Sequence, residues 1–227
     1  MDTLALTRLL QLASPALPVG AYTYSQGLEW AVHIGAISDE ESAGRWICDL
    51  LEMGIGRFEA PLLVALLGEW TASDSAEIAR LNADFLASRE SAELRAETLQ
   101  MGYSRGRLLG QLCDPALDAL VANLAPIPEI AFPTVWSGLA VATKIDPLAA
   151  VSGYLWSWAE NQVMAALKSI PLGQAGGQRL LADLGRRIPL VAEAALQLPE
   201  KAWSNFMPAF AIASVCHETQ YSRLFRS

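Results

Sequence analysis

Basic charge is scarce along this chain and clusters nowhere. The sequence carries 16 Lys and Arg against 24 Asp and Glu, a formal net charge of −8. Phosphate backbones are held by clustered Lys and Arg, so nucleic acid is excluded as a partner. Lysine is the scarcer base, with Lys144, Lys168 and Lys201 against 13 Arg. Arginine suits protein interfaces because its planar fork pairs with carboxylates and stacks on aromatics. A GC-rich genome would leave the same bias. Cysteine is sparse too: Cys48, Cys113 and Cys216 are widely spaced. An odd, scattered set builds no disulfide framework and fits a reducing compartment. The first residues, MDTLALTRLLQLASP, have no basic n-region of a secretory signal. The most apolar stretch, 130–141, is short and broken by Pro133 and Gly138, which is too little to span a bilayer. Together these traits indicate a cytoplasmic protein.

Catalytic signatures are also missing. No Gly-Lys-Ser/Thr closes a glycine run, so a P-loop is absent. The run Pro171-Leu-Gly-Gln-Ala-Gly-Gly-Gln178 has neither a lysine nor a preceding strand. A Gly-x-Ser-x-Gly elbow does not occur. His33 and His217 are the two histidines, and His33 has no nucleophile motif beside it, which favours a structural role. These absences point away from an enzyme.

What the chain does have is apolar surface. Hydrophobic residues make up 52% of it and charged residues 18%. The apolar positions recur at helical spacing, with no sustained alternation of the strand type. Helices are expected over 4–12, 26–33, 38–53, 61–70, 76–86, 89–112, 146–168, 178–196 and 210–217. Ser38 with Glu41 reads as a capping box. Asp114-Pro115 and Asp146-Pro147 read as helix starts. Gly54 and Gly56 mark a kink, and residues 14–25 and 171–177 are loops. The expectation is one all-α domain over 1–227 with nine or ten helices, and a C-terminal interaction segment over 205–227.

Three features stand out. Gly102, Gly106 and Gly110 lie four residues apart on one helical ridge, and each costs about 1 kcal/mol relative to alanine in a helix. Such a ridge serves close packing within the chain, a contact between chains, or a groove. Cys216-His217-Glu218 sets a thiol, an imidazole and a carboxylate side by side. Nickel or zinc takes such ligands, but successive helical positions diverge by about 100°, so the three cannot converge within one chain. Cys216 reads better as a packed thiol, and His217 and Glu218 lean toward function. Finally, the end of the chain carries Tyr221, Arg223, Leu224, Phe225 and Arg226, a composition of interface hot spots. The tail either folds back or orders on a partner, and its composition favours the partner.

Four segments in series resemble the urease accessory protein UreF family. They are Ser14-Pro-Ala-Leu-Pro-Val-Gly-Ala-Tyr-Thr-Tyr-Ser-Gln-Gly-Leu-Glu29, then 87–97 with Gln100-Met-Gly102, then Pro171-Leu-Gly-Gln174 with Gln178, and last His217-Glu218 with Tyr221-Ser-Arg-Leu-Phe-Arg-Ser227. Tyr22-Thr23 departs mildly from a Phe-Ser pair common in that family. The resemblance implies an all-α homodimer that joins UreD (also called UreH) and the GTPase UreG in a complex delivering nickel to apo-urease. No resident cofactor is implied, only nickel in transit. His217, Glu218, Tyr221, Arg223, Leu224, Phe225, Arg226 and Ser227 would meet partners. Tyr24, Ser25, Gly27, Glu29, Gly173, Gln174 and Gln178 would shape a surface or passage. Two alternatives stay open: a nickel chaperone using His217 and Cys216, and a regulator of UreG, with Arg223 as an arginine finger.

Overall fold

A computed structural model describes residues 2–15, 23–112 and 114–226. Most of the expected 14–25 loop, Cys113 and Ser227 lie outside the described residues. Among the described residues the architecture is all-helical: α1 (Thr3–Ala13), α2 (Leu28–His33), α3 (Glu40–Asp49), α4 (Glu59–Ala72), α5 (Ser75–Ala87), α6 (Ala92–Gln111), α7 (Asp118–Leu124), α8 (Phe132–Ala142), α9 (Pro147–Ser169), α10 (Gln174–Gln197) and α11 (Pro208–His217). None of them is long and apolar enough to cross a membrane.

Local chemistry sets the boundaries. Asp2, Asp74, Ser91 and Asp146 cap α1, α5, α6 and α9 by accepting backbone N–H bonds. The capping box of α3 is Asp39 with Ser42 rather than Ser38 with Glu41. Asp39 accepts the Ser42 amide at 2.9 Å, and the Ser42 hydroxyl accepts the Asp39 amide at 3.1 Å. The short serine side chain at the third helical position closes the box as a glutamate would. The expected kink is a π turn over Leu50–Gly54 followed by a 3-10 turn over Ile55–Arg57. Helix α10 begins at Gln174, four residues before the expected start, so Gly176 and Gly177 are helical. A Cβ on Gly176 would fall 2.5 Å from Leu172, and one on Gly177 2.9 Å from Leu167. Tight packing therefore keeps glycine in a helical turn. The same helix runs through Pro189. That residue is solvent-exposed, so water can take the carbonyl left without a donor.

Two hydrophobic clusters form the interior. One centres on α9, whose Val151, Leu155, Ala159 and Val163 are fully buried against α1, α3, α4 and α10. The other lies where α8 meets α4, α5 and α7, around Leu62, Leu66, Leu81 and Val135. Each fully buried leucine contributes about 2 kcal/mol. Helix α8, the apolar stretch of the sequence, is buried almost all round. Asn82 fixes its entry: the side chain donates to the Glu129 carbonyl at 2.8 Å and accepts from the Ala131 amide at 2.9 Å and the Thr134 hydroxyl at 2.8 Å. Gly102 lets α6 close onto this segment, since a Cβ there would sit 2.1 Å from the Ile130 carbonyl oxygen. Gly106 and Gly110 face open space, so one member of the glycine ridge serves packing within the chain.

Candidate functional site

The end of the chain meets its beginning at a buried cluster of charge. Gln26 and Gly27 both take positive φ, +53° and +80°, and turn the backbone into α2. A Cβ on Gly27 would lie 3.0 Å from the Ser214 amide nitrogen, so only glycine lets α2 touch α11. The first turn of α2 then carries Glu29 inward, 7% exposed. Its Oε1 accepts the Leu224 amide at 2.6 Å, and its Oε2 accepts the Phe225 amide at 3.0 Å. His217, fully buried, stands between two acids: Nε2 is 3.2 Å from Glu29 Oε2 and Nδ1 is 2.7 Å from Glu93 Oε2. Ionised carboxylates only accept, so both contacts are hydrogen bonds together only when the ring is an imidazolium. Arg223 pairs with the other oxygen of Glu93.

The remaining contacts bind α11 and the tail to the body. Glu218 accepts the Ala92 amide at 2.7 Å and the Glu93 amide at 3.3 Å. It thus sets a carboxylate at the α6 N-terminus, where the helix dipole favours negative charge. The hydroxyls of Ser91 and Ser214 meet at 2.6 Å. The Arg226 amide donates to the Thr23 carbonyl at 2.7 Å. The Phe225 ring is buried in the core with Lys168 Nζ 5.5 Å from its centre. The tail is therefore folded onto its own chain, which corrects the expectation that it orders on a partner. Glu29 supplies two strong acceptors for its backbone, and Phe225 supplies apolar burial.

A second polar network lies behind Gln26. Its Oε1 accepts from Trp158 Nε1 at 2.7 Å and Gln162 Nε2 at 3.3 Å, while its Nε2 donates to Glu97 at 2.9 Å. Next to it, Glu59 accepts from Arg89 at 2.6 Å and from the Tyr154 hydroxyl at 3.0 Å. Burial opposes the charged form of Arg89, but the charge and hydrogen bond of Glu59, with Glu90 and Tyr154, outweigh it and raise its pKa. Burial and then the Glu59 charge push the Tyr154 hydroxyl well above its ordinary value. Burial also raises Glu90 and Glu160. A cavity of about 80 Å³ opens beside this network.

The sequence-predicted residues thus separate into groups. His217, Glu218, Arg223, Phe225 and Glu29 come together; Tyr24 and Ser25 are buried close by in the chain. Tyr24, Ser25 and Glu29, expected to shape a surface or passage, are all interior, with polar atoms bonded inside. The Tyr24 carbonyl accepts from Asn161 at 3.0 Å, and the Ser25 hydroxyl accepts the Glu29 amide at 3.3 Å. Cys216 is half-buried. Among the described residues no group of three or more His, Cys, Asp and Glu side chains is placed to hold a metal ion. Gly173, Gln174 and Gln178 are exposed at the start of α10, where Arg179 pairs with Glu40 of α3. Tyr221 and Leu224 project into solvent, and the outer face of α11 adds Ile212 and Val215, with Phe206 just before the helix. Sequence reasoning missed Glu93, Glu97, Glu59, Arg89 and Arg105. Glu93 and Glu97 were legible as one helical face by their spacing, but nothing marked that face as buried.

This arrangement clamps a chain terminus and caps a helix; its acids and histidine are engaged with one another. Comparison with known proteins agrees with the four quoted segments. The UreF family profile matches residues 37–185. The urease accessory protein UreF of Dechloromonas aromatica (strain RCB) is 67% identical over 224 residues, 99% of this chain and 98% of that protein. That of Azoarcus sp. (strain BH72) is 61% identical over 225 residues, 99% of this chain and 96% of that protein. Those alignments also take in the N-terminal and C-terminal segments that the profile leaves out. With such identity along essentially its whole length, the chain belongs to the UreF family of urease accessory proteins.

Proposed function

We propose that this chain is a non-catalytic scaffold and relay, a cytoplasmic homodimer that joins UreD/UreH and the GTPase UreG in the complex delivering nickel to apo-urease. One helical unit over 1–227 carries a partner-binding segment over 205–227. The observation that supports this is the contrast along that segment. Its Leu224 and Phe225 amides are bonded to Glu29, while Phe206, Ile212, Val215, Tyr221 and Leu224 stand exposed. Exposed aromatic and aliphatic residues on a pre-ordered frame bind at low entropic cost. Nickel is cargo here, passing through or along the complex.

The test is size-exclusion chromatography of this protein with UreD and UreG. Truncation after Gln220 would also remove the buried Phe225, so the informative variant is Tyr221→Ala with Leu224→Ala. That variant should run like the parent alone and fail to form the three-component complex. Normal assembly by the double variant would remove the tail from the partner surface.

A further inference from the structure

Helix α10 is held to the core by Leu184, Ile188 and Ala192, and its opposite face lies open. Along that face Ala182, Arg186, Pro189, Leu190, Glu193 and Gln197 are exposed, Leu190 to 66%. Positions three and four apart share one side of a helix, so these residues form a single stripe. At 1.5 Å per residue the stripe is about 24 Å long. Its spacing reads the same from either end, with gaps of four, three, one, three and four residues centred between Pro189 and Leu190. Arg186 and Glu193 therefore stand equally far on either side of the centre.

A two-fold contact lays a patch on a second copy of itself. Two antiparallel α10 helices meeting at Pro189–Leu190 set Arg186 of each copy against Glu193 of the other. A parallel pair in register would oppose like charges instead. Both groups are free to reach across. Arg186 donates to Asp183 at 3.1 Å, but its side chain is 72% exposed and has further N–H donors to give. Glu193 has no basic residue three or four positions away on its own helix. Beside the stripe, a groove of about 590 Å³ runs between α10 and the π and 3-10 turns, with Leu190, Val191, Ala194 and Leu198 along its apolar wall. A partner of unrelated sequence gains nothing from a palindromic stripe; a second copy of this chain does.

We propose that this face of α10 is a two-fold contact between two copies of this chain, with Arg186 of each paired to Glu193 of the other and the two Leu190 side chains at the axis. The proposal rests on the homodimer reading above and gives that dimer a location.

The test is sedimentation equilibrium of the full-length protein, which reads the Kd of the dimer. Arg186→Glu and Glu193→Arg should each raise it at least about tenfold, because each sets like charges against one another twice. The protein carrying both substitutions should return to within about threefold of the parent, since the pairs re-form with their signs exchanged. Loss of the Asp183 contact cannot mimic this pattern, because Glu193→Arg leaves that contact in place. Leu190→Asp should weaken the dimer as well. Circular dichroism checks that each variant is folded. Should one fail to fold, hydroxyl-radical labelling of Leu190 in the parent decides: protection at dimer concentrations that is lost on dilution supports the contact, and equal labelling overturns it. A dimeric parent whose Kd none of the variants changes, or a combined variant no tighter than the single ones, overturns the α10 contact and leaves the homodimer reading standing. A parent that stays monomeric overturns both.

Discussion

Glu29 shows what a single buried carboxylate can organise. It accepts the Leu224 and Phe225 amides and faces His217 Nε2. Hydrogen bonds to a charged group contribute about 1.5–3 kcal/mol each. Glu29→Gln should therefore destabilise the fold by about 2 kcal/mol and speed amide exchange at Leu224 and Phe225 at least about tenfold. Exchange unchanged at those two amides would show that something else holds them. Glu160 makes the opposite case. Burial raises its pKa, so folding favours its protonated form. That preference is fully present below the unfolded value of about 4.3 and is lost as pH rises through the raised folded value. Glu160→Gln should thus be more stable than the parent near pH 7.5, with the gap closing toward pH 4.5. Urea midpoints at the two pH values check it, and a gap that stays constant would contradict the assignment. None of this was legible beforehand. A charged residue on a predicted helix reads as solvated, and only the packing of α2, α6 and α11 turns Glu29 and Glu93 inward, as α1 and α8 do for Arg105.

At the scale of elements, the helices were legible and their ends less so. Apolar spacing located nearly every helix, because a buried helical face repeats every three to four residues. Ends depend on which of several polar residues wins the cap. Asp39 displaced Ser38 because its carboxylate reaches the Ser42 amide. Glycine misled at α10, where Gly176 and Gly177 read as loop but are kept by close neighbours. The α6 glycines give a sharp test of that distinction. Gly102→Ala would push a methyl group against the Ile130 carbonyl oxygen and should cost about 3 kcal/mol, as overpacking of a tight site does. Gly110→Ala meets nothing within 4 Å and should stabilise by about 0.5–1 kcal/mol through helix propensity. Urea denaturation of the two variants reads both signs. If both destabilise alike, the open side of the ridge is packed against something, and a second chain becomes the first suspect.

For the whole molecule, the decisive feature is that its last residues divide between inside and outside. The composition of the tail announced an interface but not which residues would face it. Alternation along an irregular segment follows no helical or strand period, so the sequence offers no rule for it. The structure buries Phe225 and leaves its neighbour Leu224 72% exposed. Two alanine substitutions one residue apart should then behave oppositely. Phe225→Ala empties a core position and should cost about 3–4 kcal/mol. The tail should loosen with it, so that trypsin cuts after Arg223 sooner than in the parent. Leu224→Ala removes surface that only a partner could cover and should alter stability by less than about 0.5 kcal/mol. Partner binding should suffer in both, but for different reasons. In Phe225→Ala the frame is lost, so binding should recover in part when the protein is cooled toward its stability maximum. In Leu224→Ala a contact is lost, and no change of temperature that only restores folding should bring binding back. Equal stability losses in the two variants would mean that the tail does not sit as described, and that the exposed face of this molecule must be sought elsewhere.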